Sequence, residues 1–341
     1  SLSLLPWSAS KGIVPAIMRA IRFHSLGGPE VLQLEDAPEP QLKPGHVLVD
    51  VRAIGLNYAD TMFTKGQYFV QPQFPSIPGM EAAGVVSAVA DDVTDVRVGD
   101  RVMALGAGAC AERMVAPARS VYPMPEGLSF ETAAALPIQG LTAHHVLSLA
   151  GRLQPGEKVL VHAAAGGVGT IAVQLAKRLG ASMVIGTVGS PQKADLVRSL
   201  GADLVVDYRQ DDFATRVRGE VKNGVDLVLE MLGGTDMYKR SLSCLAPLGR
   251  MIVFGAATGE RRGTMEPVGL MTKNISVIGY YLTPLLQRRD LCAPAVADLG
   301  RAASSNELRI IIGKTYKLEE TAEAHKDLAG RTSVGKLVVL V

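Results

Sequence analysis

The chain has 341 residues, 48% of them hydrophobic and 20% charged, and a net charge of +2. That length accommodates two domains with a sizeable core, and the near-neutral balance supplies no basic field for nucleic acid or an anionic membrane surface. No window approaches the ~20 apolar residues of a spanning helix, and three isolated cysteines (Cys110, Cys244, Cys292) suit neither a disulfide framework nor a zinc cluster, in keeping with a cytoplasmic location.

Residues 1–17 hold the only tryptophan, Trp7, and no usable periodicity. They lack the basic start of a secretory signal and the arginines of a mitochondrial presequence, so they are read as a leader or extension ahead of Met18. From 18 to 138 the chain is β-rich, with apolar or alternating runs at 46–51 and 83–89 and a turn and strand at 98–102 between Pro and Gly breaks.

From 139 to 282 the pattern becomes strand, helix, strand, helix. Strands are predicted at 158–161, 183–187, 203–206, 226–230, 250–254 and 276–279, and helices at 170–180, 191–201 and 237–245. Leu-Gly-Ala and Leu-Ala-Pro serve as helix stops. This spacing predicts an α/β fold with a doubly wound parallel sheet. A helix-rich stretch follows, and 336–341 reads as a strand that rejoins the first region. The second domain is therefore expected as an insertion between 18–138 and 283–341.

The segment from Val159 runs Val-Leu-Val-His-Ala-Ala-Ala-Gly-Gly-Val-Gly into an amphipathic helix. Gly166, Gly167, Val168 and Gly169 would offer free backbone N–H groups and the positive end of a helix to a pyrophosphate. The strict Gly-x-Gly-x-x-Gly spacing is not met, because Ala164 occupies the first position. NAD-binding units carry an acidic residue about 20 positions on, for the ribose 2′-hydroxyl. Here the second strand ends Gly186-Thr-Val-Gly189-Ser190, with no carboxylate before Asp195 and with Lys193 close by. Alone, Lys193 is a solvated helix residue. With the glycine turn and the missing acid, the set points to NADPH, whose 2′-phosphate a carboxylate would repel.

These segments together resemble the zinc-free quinone oxidoreductase (zeta-crystallin-like) branch of the medium-chain dehydrogenase/reductase superfamily. The matching pieces include Gly55-Leu-Asn-Tyr-Ala-Asp60, Lys65-Gly-Gln-Tyr68, Pro78-Gly-Met-Glu-Ala-Ala-Gly84, Val98-Gly-Asp-Arg-Val102, Leu141-Thr-Ala143, the glycine turn, and Gly335-Lys-Leu-Val-Val339. The resemblance implies a Rossmann domain inserted in a GroES-like, mainly β catalytic domain, with the site in the cleft between them. It also implies that zinc is absent. Zinc-dependent relatives have a cysteine where this chain has Asn57, and Gly-His-Glu where it has Gly79-Met80-Glu81. Asn and Met supply neither a thiolate nor an imidazole.

The family also implies a 2′-phosphate clamp of Lys193, Tyr208 and Arg331, and a nicotinamide neighbourhood of Thr142 and Phe254. Hydride transfer to a conjugated carbonyl needs orientation more than acid–base machinery. Asn57 is expected to donate to the carbonyl oxygen, and Tyr68 to donate a hydrogen bond or a proton. His144, His145 and His162 are read as structural.

The expected activity is NADPH-dependent quinone reduction. The alternative is reduction of a 2-enoyl thioester or alkenal, for which Arg261, Arg262, Arg288 and Arg289 are candidate phosphate contacts. Of the non-catalytic alternatives, a crystallin-like or an RNA-binding role, the RNA-binding one finds no footprint in the charge or the aromatic content. A homodimer is expected through a cofactor-domain edge strand near 251–256 or 276–281.

Overall fold

The computed structural model describes residues 16–260 and 263–341. The expected leader lies almost wholly outside these residues, and so do Arg261 and Arg262. Ile17 is already part of a strand, paired with Pro38.

The first unit contains β1 (Ile17–Arg22), β2 (Gln33–Pro38), β3 (His46–Leu56), α1 (Tyr58–Thr64), β4 (Glu81–Val89), β5 (Arg101–Leu105), β6 (Arg113–Pro117), β7 (Val121–Pro123) and α2 (Phe130–Ala134). Along β3, Val47, Val49 and Val51 are buried while their neighbours are not, the alternation of a strand with one core face. From Ala53 to Leu56 the strand is buried on both faces, where α2 and the C-terminal strand close over it.

Helix α3 (Pro137–Ser148) leads into the second unit. This unit runs β8 (Lys158–Val161), α4 (Gly167–Arg178), β9 (Met183–Val188), α5 (Pro191–Ser199), β10 (Leu204–Asp207), α6 (Phe213–Glu220), β11 (Val225–Glu230), α7 (Thr235–Ser243), β12 (Leu245–Val253), α8 (Pro267–Leu270) and β13 (Ser276–Gly279). Its six strands are all parallel, in the order β10-β9-β8-β11-β12-β13. That is the doubly wound Rossmann order, and its switch point lies between β8 and β11, where such sheets bind ligands. Val159, Leu160 and Val161 of β8 are fully buried, as expected of a parallel strand covered on both sides. Each such side chain contributes about 1.5–3 kcal/mol.

The chain returns through α9 (Leu282–Leu285), α10 (Arg289–Ser304), β14 (Ile312–Lys317), α11 (Thr321–Ala329) and β15 (Lys336–Leu340). β15 pairs antiparallel with β3, Leu337 opposite Leu56 and Leu340 opposite Ala53, so the last strand joins the first sheet. The α/β architecture is thus a six-stranded parallel sheet joined to a mixed, mainly β unit. Among the described residues no helix is long and apolar enough to cross a membrane.

Several expectations need correction. Helix α4 starts three residues early, because extended Gly166 (ψ 177°) is its N-cap and Gly167 and Gly169 lie in its first turn. Leu245-Ala-Pro247 is not a helix stop but the start of β12, because Val225 pairs with Leu245 before a register shift. A dimer edge near 251–256 is excluded, since β12 is paired on both sides and β13 is the edge. Strand β14 was not foreseen; most of Ile-Gly-Lys-Thr-Tyr-Lys is exposed and gives no alternation.

Candidate active site

The glycine turn lies at the C-terminal end of β8. Ala163 takes a left-handed conformation (φ 47°), and the first intrahelical bond of α4 runs from the Thr170 N–H to the Gly166 carbonyl at 2.9 Å. Helix geometry therefore leaves the Gly167, Val168 and Gly169 N–H groups without intrahelical acceptors. A side chain at Gly169 would overlap the Ala163 carbonyl and lie 2.7 Å from the Ala164 Cα, so only glycine lets α4 approach the strand this closely. At Gly167 the obstacle is the buried Gln139 carbonyl oxygen, which has no hydrogen-bond partner.

At the C-terminal ends of β9 and β10, Gly189, Ser190, Lys193 and Tyr208 lie together with the main chain of Arg331. Ser190 caps α5, its hydroxyl accepting from the Lys193 N–H at 3.3 Å. The Lys193 ammonium donates to the Arg331 carbonyl oxygen at 2.7 Å, and Arg331 is held at φ 57° on the surface. A Cβ on Gly189 would sit 2.6 Å from the Tyr208 hydroxyl, and the Tyr208 ring is 46% exposed. Burial and then the charge of Arg209 push the Lys193 ammonium below its usual range. Arg209 therefore faces the same place, a residue the sequence reading passed over although it adjoins Tyr208.

In the first unit, Asn57 caps α1. Its side-chain N–H groups donate to Glu81 Oε1 at 2.9 Å and, at a long 3.3 Å, to the Gly55 carbonyl. Its Oδ1 accepts from the Lys336 ammonium at 2.7 Å, and Lys336 also pairs with Glu81. Glu81 and Lys336 are buried, and Glu81 Oε2 accepts from the Ile138 N–H of α3 at 2.8 Å. The expected free Asn57 donor is thus corrected to one N–H committed to Glu81 and one held only weakly. Beneath it, the fully buried Asp60 accepts from the Asn57 main-chain N–H at 2.7 Å, and its Oδ1 has no partner. Burial pushes the Asp60 carboxyl up to about 7, against the pull of the Asn57 N–H and the Lys336 charge.

Tyr68 stands in the loop after α1, half-buried, its ring edge-on to Tyr281 at 6.1 Å. Burial and then a hydrogen bond with the Tyr281 hydroxyl raise its pKa. Tyr68 therefore serves as a hydrogen-bonding hydroxyl in the neutral range. Thr142 is buried in α3 and hydrogen-bonds Tyr280, whose hydroxyl also contacts His145 Nδ1 at 3.0 Å. Phe254 follows β12, its N–H bonded to the Glu230 carbonyl at 3.0 Å.

His162 is wholly buried between the hydroxyls of Thr187 and Ser241, each at 3.0 Å, and Ser241 donates to Glu230 at 2.9 Å. Glu230 in turn receives the Leu232 and Gly233 N–H groups. Arg289 donates to the Arg119 carbonyl at 2.8 Å and Arg288 pairs with Asp290, so both candidate thioester-phosphate contacts already have partners.

Comparisons with known proteins match this geometry over nearly the whole chain. Residues 43–126 match the family described as alcohol dehydrogenase GroES-like domain, and residues 167–293 the family described as zinc-binding dehydrogenase. A quinone oxidoreductase of Pseudomonas aeruginosa is 40% identical over 332 residues, covering 94% of this chain and 99% of that protein. The chain belongs to the medium-chain dehydrogenase/reductase superfamily. Within that superfamily it is an enzyme of the quinone oxidoreductase-like branch, which also takes in the zebrafish (Danio rerio) synaptic vesicle membrane protein VAT-1 homolog. That protein is 36% identical, over 94% of this chain and 69% of the relative. The structure of Escherichia coli quinone oxidoreductase complexed with NADPH superposes with a TM-score of 0.89 at 34% identity, covering 95% of this chain and all of that one.

One family description names zinc, and the donor set here does not fit it. The place is occupied by an amide, a carboxylate and an ammonium that satisfy one another, and among the described residues no group of three or more His, Cys, Asp or Glu is arranged for a metal.

Proposed function

We propose that this superfamily member is an NADPH-dependent reductase of quinones or similar conjugated carbonyl compounds, working without zinc. The observation that carries the reading is the adenosine-end cradle. Lys193, Arg209 and Tyr208 lie beside Gly189 and Ser190, with the Arg331 main chain against the Lys193 ammonium and no carboxylate between Gly186 and Ser190. Such a set suits a 2′-phosphate and gives a bare 2′-hydroxyl nothing acidic to bond.

NADPH, when bound, would supply the hydride. The N–H groups of Gly167, Val168 and Gly169 would hold its pyrophosphate at the positive end of α4. Thr142 and Phe254 would lie beside its nicotinamide. The weakly held Asn57 N–H turns to the substrate carbonyl and stabilises the charge that develops there. Tyr68, un-ionised and backed by Tyr281, would donate a hydrogen bond to the substrate oxygen.

Steady-state assays with NADPH and NADH against benzoquinone, naphthoquinone, an alkenal and crotonyl-CoA test it. Saturable quinone turnover with NADPH preferred is expected, whereas crotonyl-CoA turnover without quinone activity would reverse the choice.

The protein is read as a homodimer through the edge strand β13, a few residues after Val268 and Met271, which are 67% and 72% exposed. Elution at monomer mass at micromolar concentration would overturn this. The three free, buried cysteines suit a reducing, cytoplasmic setting.

A further inference from the structure

Lys336 lies where the cofactor turn and the Asn57 network meet. Its neighbour Gly335 donates its N–H to the Ala165 carbonyl at 2.8 Å and forms a parallel bridge with Gly166. At φ 53°, with the Ile311 carbonyl where a Cβ would go, Gly335 admits no other residue. One residue later, the Lys336 side chain enters the other sheet and ends on Asn57 Oδ1 and Glu81.

An asparagine amide has two chemically opposite ends, one accepting and one donating, and here each meets a partner that reads it. The Lys336 ammonium can only donate, so it requires the amide oxygen. Glu81 Oε1 accepts from Asn57 Nδ2, so it requires the NH2. Turning the amide over would set donor against donor and acceptor against acceptor inside a buried pair. The amide is therefore locked in one sense, with its remaining N–H on the 3.3 Å contact to Gly55. A bond that long is weak and readily exchanged for a better acceptor.

We propose that Lys336 is a positioning residue for the reaction, holding the Asn57 amide by its oxygen so that the site presents an N–H donor to a substrate carbonyl. This rests on the carbonyl-binding role of Asn57 proposed above. The site then selects substrates that offer an acceptor oxygen, as quinones and enones do. The same residue ties that selection to the strand that bridges the glycine turn.

The test uses the full-length protein. Lys336→Met alone leaves Glu81 charged and unpaired in the core and invites misfolding, so Lys336→Met combined with Glu81→Gln removes both charges together. In protein labelled with 15N-asparagine, the four asparagines of the sequence give four side-chain amide pairs, and Asn57→Ala identifies the one from Asn57.

In the charge-free variant the Asn57 pair should move toward free-amide shifts while the other three stay in place. With a quinone, kcat should fall about 10- to 100-fold while the KM for NADPH stays within about twofold. Adding Asn57→Ala should cost nothing further, because Lys336 acts through Asn57.

Unmoved Asn57 resonances, or losses that multiply in the combined variant, would overturn the proposal and leave the carbonyl-binding role of Asn57 standing. Wild-type kcat in Asn57→Ala alone would instead sink that role, and Lys336 would lose its part in the reaction with it.

Discussion

The ammonium of Lys193 donates to the main-chain oxygen of Arg331, 138 residues away, at 2.7 Å, which fixes its charge between the loop after β9 and the segment before β15. A charged hydrogen bond to phosphate contributes about 1.5–3 kcal/mol. Lys193→Glu should therefore raise the KM for NADPH about 10- to 100-fold and leave the KM for NADH nearly unchanged. Arg209→Ala should shift the same constant in the same direction by less. Parallel titrations of both cofactors check this, and an unchanged NADPH preference in Lys193→Glu would remove the clamp as drawn.

Gly169→Ala tests the turn itself. The new methyl group meets main-chain atoms of Ala163 and Ala164, which cannot swing aside as a side chain would. Overpacking of this kind costs about 1–3 kcal/mol. Urea denaturation should show that loss, and added NADPH should no longer raise the melting temperature.

Asp60 gives the protein a pH signature. Its folded pKa of about 7 lies above the ordinary aspartate value of about 3.9, so the native state binds the proton more tightly than the unfolded chain does. Stability from this group is present below pH 4 and is lost as pH rises toward 7, by about 4 kcal/mol at most. Asp60→Asn mimics the protonated acid and should flatten that part of the profile. Urea midpoints from pH 4 to 8 for both proteins decide the matter, and identical slopes would contradict it.

Ser241→Ala should destabilise the Rossmann core by about 1–3 kcal/mol, because it leaves His162 Nε2 and Glu230 Oε2 each short of a partner. Burial holds the His162 pKa down, so the ring stays neutral and does not replace the lost hydroxyl with charge. Equilibrium denaturation at pH 7 measures the loss, and an unchanged midpoint would show that the three side chains are not coupled.

The parallel sheet was legible because its signals are local: apolar runs of strand length, helical spacing between them, and a glycine turn whose chemistry fits within seven residues. The phosphate clamp was legible in part. Lys193 and Tyr208 follow successive strands, but Arg209 reads as a surface arginine until Lys193 is seen beside it. The Asn57 network was not legible, since Lys336 lies 279 residues from Asn57. Before the apolar run Leu-Val-Val-Leu-Val it looks like a lysine pointing to water. Only the closure of β15 onto β3 buries it. Strand β14 escaped for the opposite reason: its pairing with β15 is made by the main chain, while most of its side chains remain in solvent and only Tyr316 is buried.

The Gly166–Gly335 bridge also ties the two halves of the molecule together. It joins the glycine turn of one sheet to the root of a strand in the other by main-chain contact, and at its Gly335 end no side chain fits. The two sheets are spliced through main chain at this point, so a side chain forced in at Gly335 would displace the Ile311 carbonyl and disturb the glycine turn and the Lys336 anchor of Asn57 together.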